Sequence, residues 1–310
     1  MAVGGWLGEP ERPFSKNLSS MRAGLIAAVC RRSYNFAIGE MMPEAVNGDV
    51  TLYYKDEGSG EPVLLIHGHT MDRRIWDPVM PSLSEANLRV LRPDLRGHGL
   101  STRPDFGYHV SHHAADMVAV LDDAGIGSAT VVGYSIGGGV ALEMALTVPD
   151  RLAGLVLMSP VMPDRPFEAA FMDNLRDVAR VTRSEGIEAA MLGPWASNPL
   201  FAFSFSKPAV REAAMAINRD FPGAEYLATQ RDRVGREWTV PERLSEIDIA
   251  TVVIAGDHET PGFRAYAEEA AEGIPGARIE FFEDCGHLLP FEAPERVAKA
   301  IINVVRLGRA

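Results

Sequence analysis

The stretch Gly133-Tyr134-Ser135-Ile136-Gly137 sets a serine between two glycines, each two residues away. The preceding residues, Ser128-Ala129-Thr130-Val131-Val132, are short, apolar and β-branched, as in a buried strand, and residues 138–147 run at helical spacing with Ala, Leu and Met. A serine on a tight turn between strand and helix has its Oγ held clear of the backbone, with the N–H groups of the following helix pointing at it. Serine is a poor nucleophile at its own pKa. It needs an imidazole to take its proton and a carboxylate to orient that imidazole. The chain supplies these downstream, in the order Ser135, then Glu259 or Asp257, then His287. Alone, the glycine-serine pattern reads equally well as a glycine-rich turn with no chemistry; the partners decide between the two.

These residues need elements to carry them. Residues 50–54 read as a strand and 62–66 as a continuous apolar strand ending in His67-Gly68-His69-Thr70. A helix is predicted over 72–85 and a strand over 88–91, which runs into the loop Arg92-Pro93-Asp94-Leu95-Arg96-Gly97-His98-Gly99. Residues 110–126 are helical in pattern, and 152–158 form a further apolar strand. A strand over 250–255, a helix over 263–273, a strand over 278–282 and a closing helix over 294–306 complete the alternation. Continuously apolar strands alternating with helices predict an α/β fold: a mostly parallel, doubly wound sheet covered on both faces. In such a sheet ligands bind beyond the carboxyl ends of the strands, where residues 67–70, Ser135, Glu259 and His287 all fall.

Between residues 161 and 240 the alternation stops and helical patterns take over, notably over 167–182 and 208–218. This predicts an inserted helical cap on a core formed by residues 44–160 and 241–310. Among its aromatics, Trp195, Phe171 and Phe205 are candidates for the wall of an apolar substrate pocket; the plainer reading is that they form the core of a small helical layer.

A chain of 310 residues with 46% hydrophobic content can bury a large core. Its formal net charge of −12, with no basic block, argues against nucleic acid or an anionic membrane surface as partner. Two cysteines, Cys30 and Cys285, without zinc-ligand spacing indicate neither a disulfide framework nor a metal site, and fit a reducing cytoplasm. No apolar run reaches the roughly 18 residues of a spanning helix. Residues 1–43 differ from the rest, being basic on balance and carrying a short apolar run, 23–30, between arginines. The expectation is a disordered extension ahead of the fold rather than a targeting segment.

Together, the His67-Gly68 loop, the Arg92 to Gly99 loop, the serine turn and Gly286-His287 make residues 46–307 similar to the α/β-hydrolase superfamily. The resemblance implies an oxyanion hole built from the backbone N–H groups of Ile136 and His69, such donors contributing about 3 kcal/mol each to the transition state. It also implies that the acid stands three residues after the glycine that ends its strand. Here that position holds Glu259, where Asp is commoner, with Asp257 as the alternative and Asp164 as a remoter one. Relatives that cleave haloalkanes or epoxides carry Asp at the turn, and Ser135 argues against both activities.

The expectation is therefore a capped serine hydrolase acting on a small ester or lactone, with no cofactor and no metal. Carbon–carbon bond hydrolases and cofactor-free perhydrolases use the same constellation, and a receptor binding a small hydrophobic signal is the alternative of a different class. The substrate's identity and the oligomeric state are not legible in the sequence.

Overall fold

The computed structural model describes residues 42–230 and 237–308. Cys30 and all but the last two residues of the expected extension, 1–43, lie outside these, as do residues 231–236 of the expected cap. Eight strands form one sheet: β1 (Glu44–Asn47), β2 (Val50–Glu57), β3 (Glu61–Ile66), β4 (Leu88–Pro93), β5 (Ala129–Tyr134), β6 (Leu152–Met158), β7 (Thr251–Gly256) and β8 (Arg278–Phe282). Their order is β1-β2-β4-β3-β5-β6-β7-β8. The first two pairings are antiparallel and the rest parallel.

The central strands follow from their apolar runs. Every residue of β5 is buried, as are Val63 to Ile66 in β3 and Gly154 to Met158 in β6. Each fully buried Val, Leu or Ile side chain contributes roughly 1.5–3 kcal/mol. The edge strand β8 instead alternates, with Arg278 and Glu280 exposed, because only one of its faces is covered. The strand β1 was not expected. It is only four residues long, and its Val46 is 65% exposed while Ala45 alone is buried, so it carries almost no hydrophobic signal.

The single helix expected over 72–85 is two pieces, a 3-10 turn at Arg73–Trp76 and a helix at Met80–Glu85. Pro78, between them, has no N–H to donate back to the preceding turn, so the run is interrupted there. Between β6 and β7 every element among the described residues is helical, led by Ala169–Glu185, Ile187–Leu192 and Pro208–Asn218.

One feature of the strand order places the site. From β3 the chain moves outward to β4, then returns to pair β5 with the other side of β3. The loops leaving β3 and β5 therefore diverge at a topological switch point, where open parallel sheets hold their ligands. Ile66 stands opposite Gly133 in this register, so the chain from His67 onward and the Ser135 turn emerge side by side.

Candidate active site

Ser135 follows β5 directly and has φ 54° and ψ −117°. A side-chain-bearing residue at such a φ costs about 1–3 kcal/mol and persists only where its surroundings over-determine it. They do so here. Ser135 N–H donates to Met158 O at 2.9 Å, and its carbonyl accepts from Gly138 N and Val161 N, both at 2.9 Å. The flanking glycines are required by contact. A Cβ on Gly133 would lie 2.2 Å from Gly137 O, and one on Gly137 would lie 2.3 Å from Ile66 O. The turn is thus pressed between its own helix and β3, and any larger residue at either position would open it.

The loop after β8 brings His287 to this serine. Its Nε2 is 3.1 Å from Ser135 Oγ, and its Nδ1 is 2.8 Å from Glu259 Oε2. All three residues are buried. A carboxylate accepts, so the proton sits on Nδ1 and the Nε2 lone pair is left facing the serine hydroxyl. Glu259 reaches the imidazole because β7 ends against the His287 loop: a Cβ on Gly256 would fall 2.2 Å from Cys285 O, and His258 N–H donates to that carbonyl at 2.9 Å. Asp257 turns the other way and accepts from Cys285 N at 3.1 Å. It braces the loop and does not meet the ring. Asp164 accepts from Val240 N at 3.0 Å. Burial raises the Cys285 thiol to about 11, which suits a packed side chain and not a reactive thiolate.

The loop after β3 is built around His67. Its Nδ1 lies 2.8 Å from Gly68 O, and its Nε2 lies 2.9 Å from Leu95 N. The first contact needs a proton on the ring and the second a lone pair, so only the neutral imidazole satisfies both; burial accordingly lowers its pKa to about 4. His67 thereby ties the β3 loop to the β4 loop. That second loop is held by buried ion pairs, Arg73 with Asp94 and Arg96 with Asp116, each at 2.6 Å. His98 packs inside it, its Nδ1 donating to Arg96 O at 3.0 Å.

Beside the serine is a cavity of about 190 Å³ open to the centre of a water molecule. Ser135, His287, Ile136 and His69 border it, and its walls are mainly apolar, including Phe171, Trp195, Phe201 and Phe263. Ile136 is the first residue of the helix Ile136–Thr147, where an N–H has no intrahelical acceptor. Two of the three expected wall aromatics, Trp195 and Phe171, border the cavity. Phe205 does not. It stacks on Phe201 with ring centroids 5.2 Å apart, so Phe201 presents its ring to the cavity and Phe205 stands behind it.

Phe263 and Glu225 carried no sequence signal, and Tyr226 none beyond being one of the insertion's aromatics. Phe263, from the helix Pro261–Gly273, packs edge-on against the His287 ring at 4.7 Å. From the helical insertion, Tyr226 places its hydroxyl 2.6 Å from His69 Nε2, and Glu225 places Oε1 3.3 Å from the same nitrogen. Burial lowers His69 to about 4 and raises Glu225. Both residues lie in a one-turn helix, Ala224–Leu227, too short to show a period. No group of three or more His, Cys, Asp and Glu side chains able to hold a metal ion occurs among the described residues.

A family model for the alpha/beta hydrolase fold matches residues 61–294. A non-heme haloperoxidase of Rhodococcus erythropolis is 27% identical over 261 residues, covering 79% of this chain and 93% of that protein. Among solved structures, a thermophilic esterase from Thermogutta terrifontis superposes with a TM-score of 0.72 at 28% identity, covering 87% of this chain and all of that one. Est816, described as an N-acyl homoserine lactone degrading enzyme, superposes with a TM-score of 0.69 at 28% identity, covering 84% of this chain and 99% of that one. No helix among the described residues is long and apolar enough to cross a membrane.

Proposed function

The chain belongs to the α/β-hydrolase family, and on that premise we propose that it hydrolyses a small, largely apolar ester or lactone through an acyl-enzyme. The observation that carries this reading is the unbroken contact from Glu259 through His287 to Ser135 at the edge of an apolar cavity. Ser135 Oγ attacks the carbonyl carbon while His287 Nε2 takes its proton. The imidazolium that forms is stabilised by Glu259, which accepts from Nδ1–H. Negative charge gathers on the former carbonyl oxygen, where the backbone N–H groups of Ile136 and His69 receive it, aided by the positive end of the helix Ile136–Thr147. His287 then returns the proton to the leaving alcohol. Water, deprotonated by the same nitrogen, attacks the acyl-enzyme, and collapse of the second tetrahedral intermediate releases the acid.

The cavity's volume of about 190 Å³ suits a small molecule. The names of the esterase and of the lactone-degrading enzyme among its structural neighbours agree with this class. A panel of chromogenic short- and medium-chain esters beside simple lactones tests it. Turnover that disappears in Ser135→Ala supports the reading, whereas tight binding without turnover across the panel would favour a receptor.

A further inference from the structure

Among the described residues, one carboxyl group that the proposed reaction does not use borders the cavity. Glu225 borders it from the helical insertion, with about a quarter of its side chain exposed (24%). No lysine or arginine among the described residues borders the cavity. Among the described residues its one ion-pair contact is with His69 Nε2 at 3.3 Å, and that nitrogen is already engaged by Tyr226 Oη at 2.6 Å. A ring nitrogen carries either one proton or one lone pair, so the nearer and shorter contact takes it. Glu225 is left with acceptor capacity facing the substrate space. A carboxyl in such surroundings is costly to desolvate without a partner, and an isosteric leucine would line the same wall without that cost.

We propose that Glu225 is a specificity residue: it accepts a hydrogen bond from a hydroxyl or amide N–H carried by the substrate. The true substrate is then an ester or lactone with a neutral donor set apart from the reacting carbonyl, not a plain hydrocarbon ester. The apolar walls take the carbon skeleton and Glu225 fixes its register, so that the carbonyl carbon stands at Ser135. The chemistry in this proposal rests on the hydrolase reading above; the anchoring itself does not.

The test uses ester pairs of equal heavy-atom count in which one member carries a hydroxyl or amide N–H, on either the acyl or the alcohol side, and the other a methylene. The full chain is assayed as wild type, Glu225→Gln and Glu225→Leu, with thermal melts to verify folding. A donor-bearing member should be favoured by at least about tenfold in kcat/KM in the wild type. Glu225→Leu should erase that preference, and Glu225→Gln, whose amide oxygen still accepts, should retain part of it. If no member is favoured in the wild type, or if Glu225→Leu keeps the wild-type ranking, the proposal is overturned while the hydrolase reading stands. Should Glu225→Leu fail to fold, the wild-type ranking and Glu225→Gln decide. A stronger preference for an ammonium-bearing ester than for either neutral donor would replace the proposed ligand class by a cation. If nothing is hydrolysed, the hydrolase reading fails, and calorimetric binding of the same pairs to Ser135→Ala decides the anchor: at least tenfold tighter binding of a donor-bearing member, lost on adding Glu225→Leu, upholds it, and equal binding sinks it.

Discussion

The Tyr226 hydroxyl lies 2.6 Å from Nε2 of His69, joining the helical insertion to the loop after β3. Burial keeps the His69 ring neutral and the Tyr226 phenol protonated, so the contact is a neutral hydrogen bond whose direction follows the tautomer of the ring. His69 is also the residue whose backbone N–H is proposed to receive the oxyanion, and the bond fixes its side chain from the far side of the cavity. Tyr226→Phe removes one neutral hydrogen bond, worth about 1 kcal/mol. We expect kcat on a small ester to fall by roughly fivefold with KM little changed. Steady-state kinetics check this, and a change confined to KM would make Tyr226 a substrate contact instead.

Ser135→Ala removes a single oxygen from a turn whose geometry is set by backbone contacts with Met158, Val161 and Gly138. The fold should therefore persist. Ester turnover should drop by at least about a thousandfold, since only the oxyanion donors and binding energy remain. Retention of substantial turnover, or attachment of a serine-directed phosphonate at another residue, would remove Ser135 as nucleophile.

Glu259 and Asp257 are two residues apart, yet one meets the imidazole and the other a backbone N–H. Glu259→Gln should lower kcat by about a hundredfold or more with modest effect on KM, because an amide does not stabilise the imidazolium and can hold the wrong tautomer. Asp257→Asn keeps an oxygen for Cys285 N–H and should stay within about threefold of wild type. Kinetics of the two variants side by side check the assignment, and the opposite ranking would transfer the role to Asp257.

The buried histidines make stability depend on pH with a defined sign. Burial lowers His67 from 6.5 to about 4 and His98 to about 3, and holds His113 well below its ordinary value. Below pH 6.5 the unfolded chain binds protons at these positions and the folded chain does not, so stability falls as pH drops from about 6.5 towards 4. The loss is roughly 3 kcal/mol for a group such as His67. Burial raises Asp94 to about 6 against the pull of Arg73 and also raises Glu225, both contributing the opposite sign, but His69, lowered to about 4, joins the other three, and four histidines outweigh two carboxyls. The melting temperature should decline through this window, with a shallower slope for His98→Gln. A flat or rising profile would contradict the neutral, buried histidines.

The parts of the fold legible in the sequence are those where burial is continuous. The strand Leu152–Met158 and the helix Pro208–Asn218 have the expected bounds, because an unbroken apolar run and a clean helical period each survive folding unchanged. β1 was hidden by its single buried residue, and the helix expected over 72–85 was broken by one proline. At the site, Ser135, Glu259 and His287 each follow a strand end, so the parallel sheet that brings those ends together could be read from its strands alone. Which aromatic faces the cavity could not: Phe201 and Phe205 are four residues apart, and only packing decides that Phe201 is in front. Glu225 and Tyr226 sit in a single helical turn, and nothing in their spacing points at His69.

Substrate choice should reside in the cavity walls, and the structure separates a wall residue from its neighbours. Phe171 is half-buried, borders the cavity and packs on Phe263 at 5.6 Å, so truncating it enlarges the space without emptying the core. Trp195 also borders it, but is 2% exposed and meets His69 edge-on at 5.4 Å; its loss would cost about 3–5 kcal/mol of stability and blur the reading. Phe205 lies behind Phe201 and serves as the control. In a ladder of p-nitrophenyl esters, one methylene fitted into an apolar pocket changes kcat/KM by about tenfold or more. Phe171→Ala should therefore move the optimum to a longer acyl chain, with the rate on the shortest ester little altered. Phe205→Ala should leave the ranking as in the wild type. If Phe205→Ala shifts the optimum and Phe171→Ala does not, the acyl chain runs towards the Phe201–Phe205 stack, and the wall assignment is wrong.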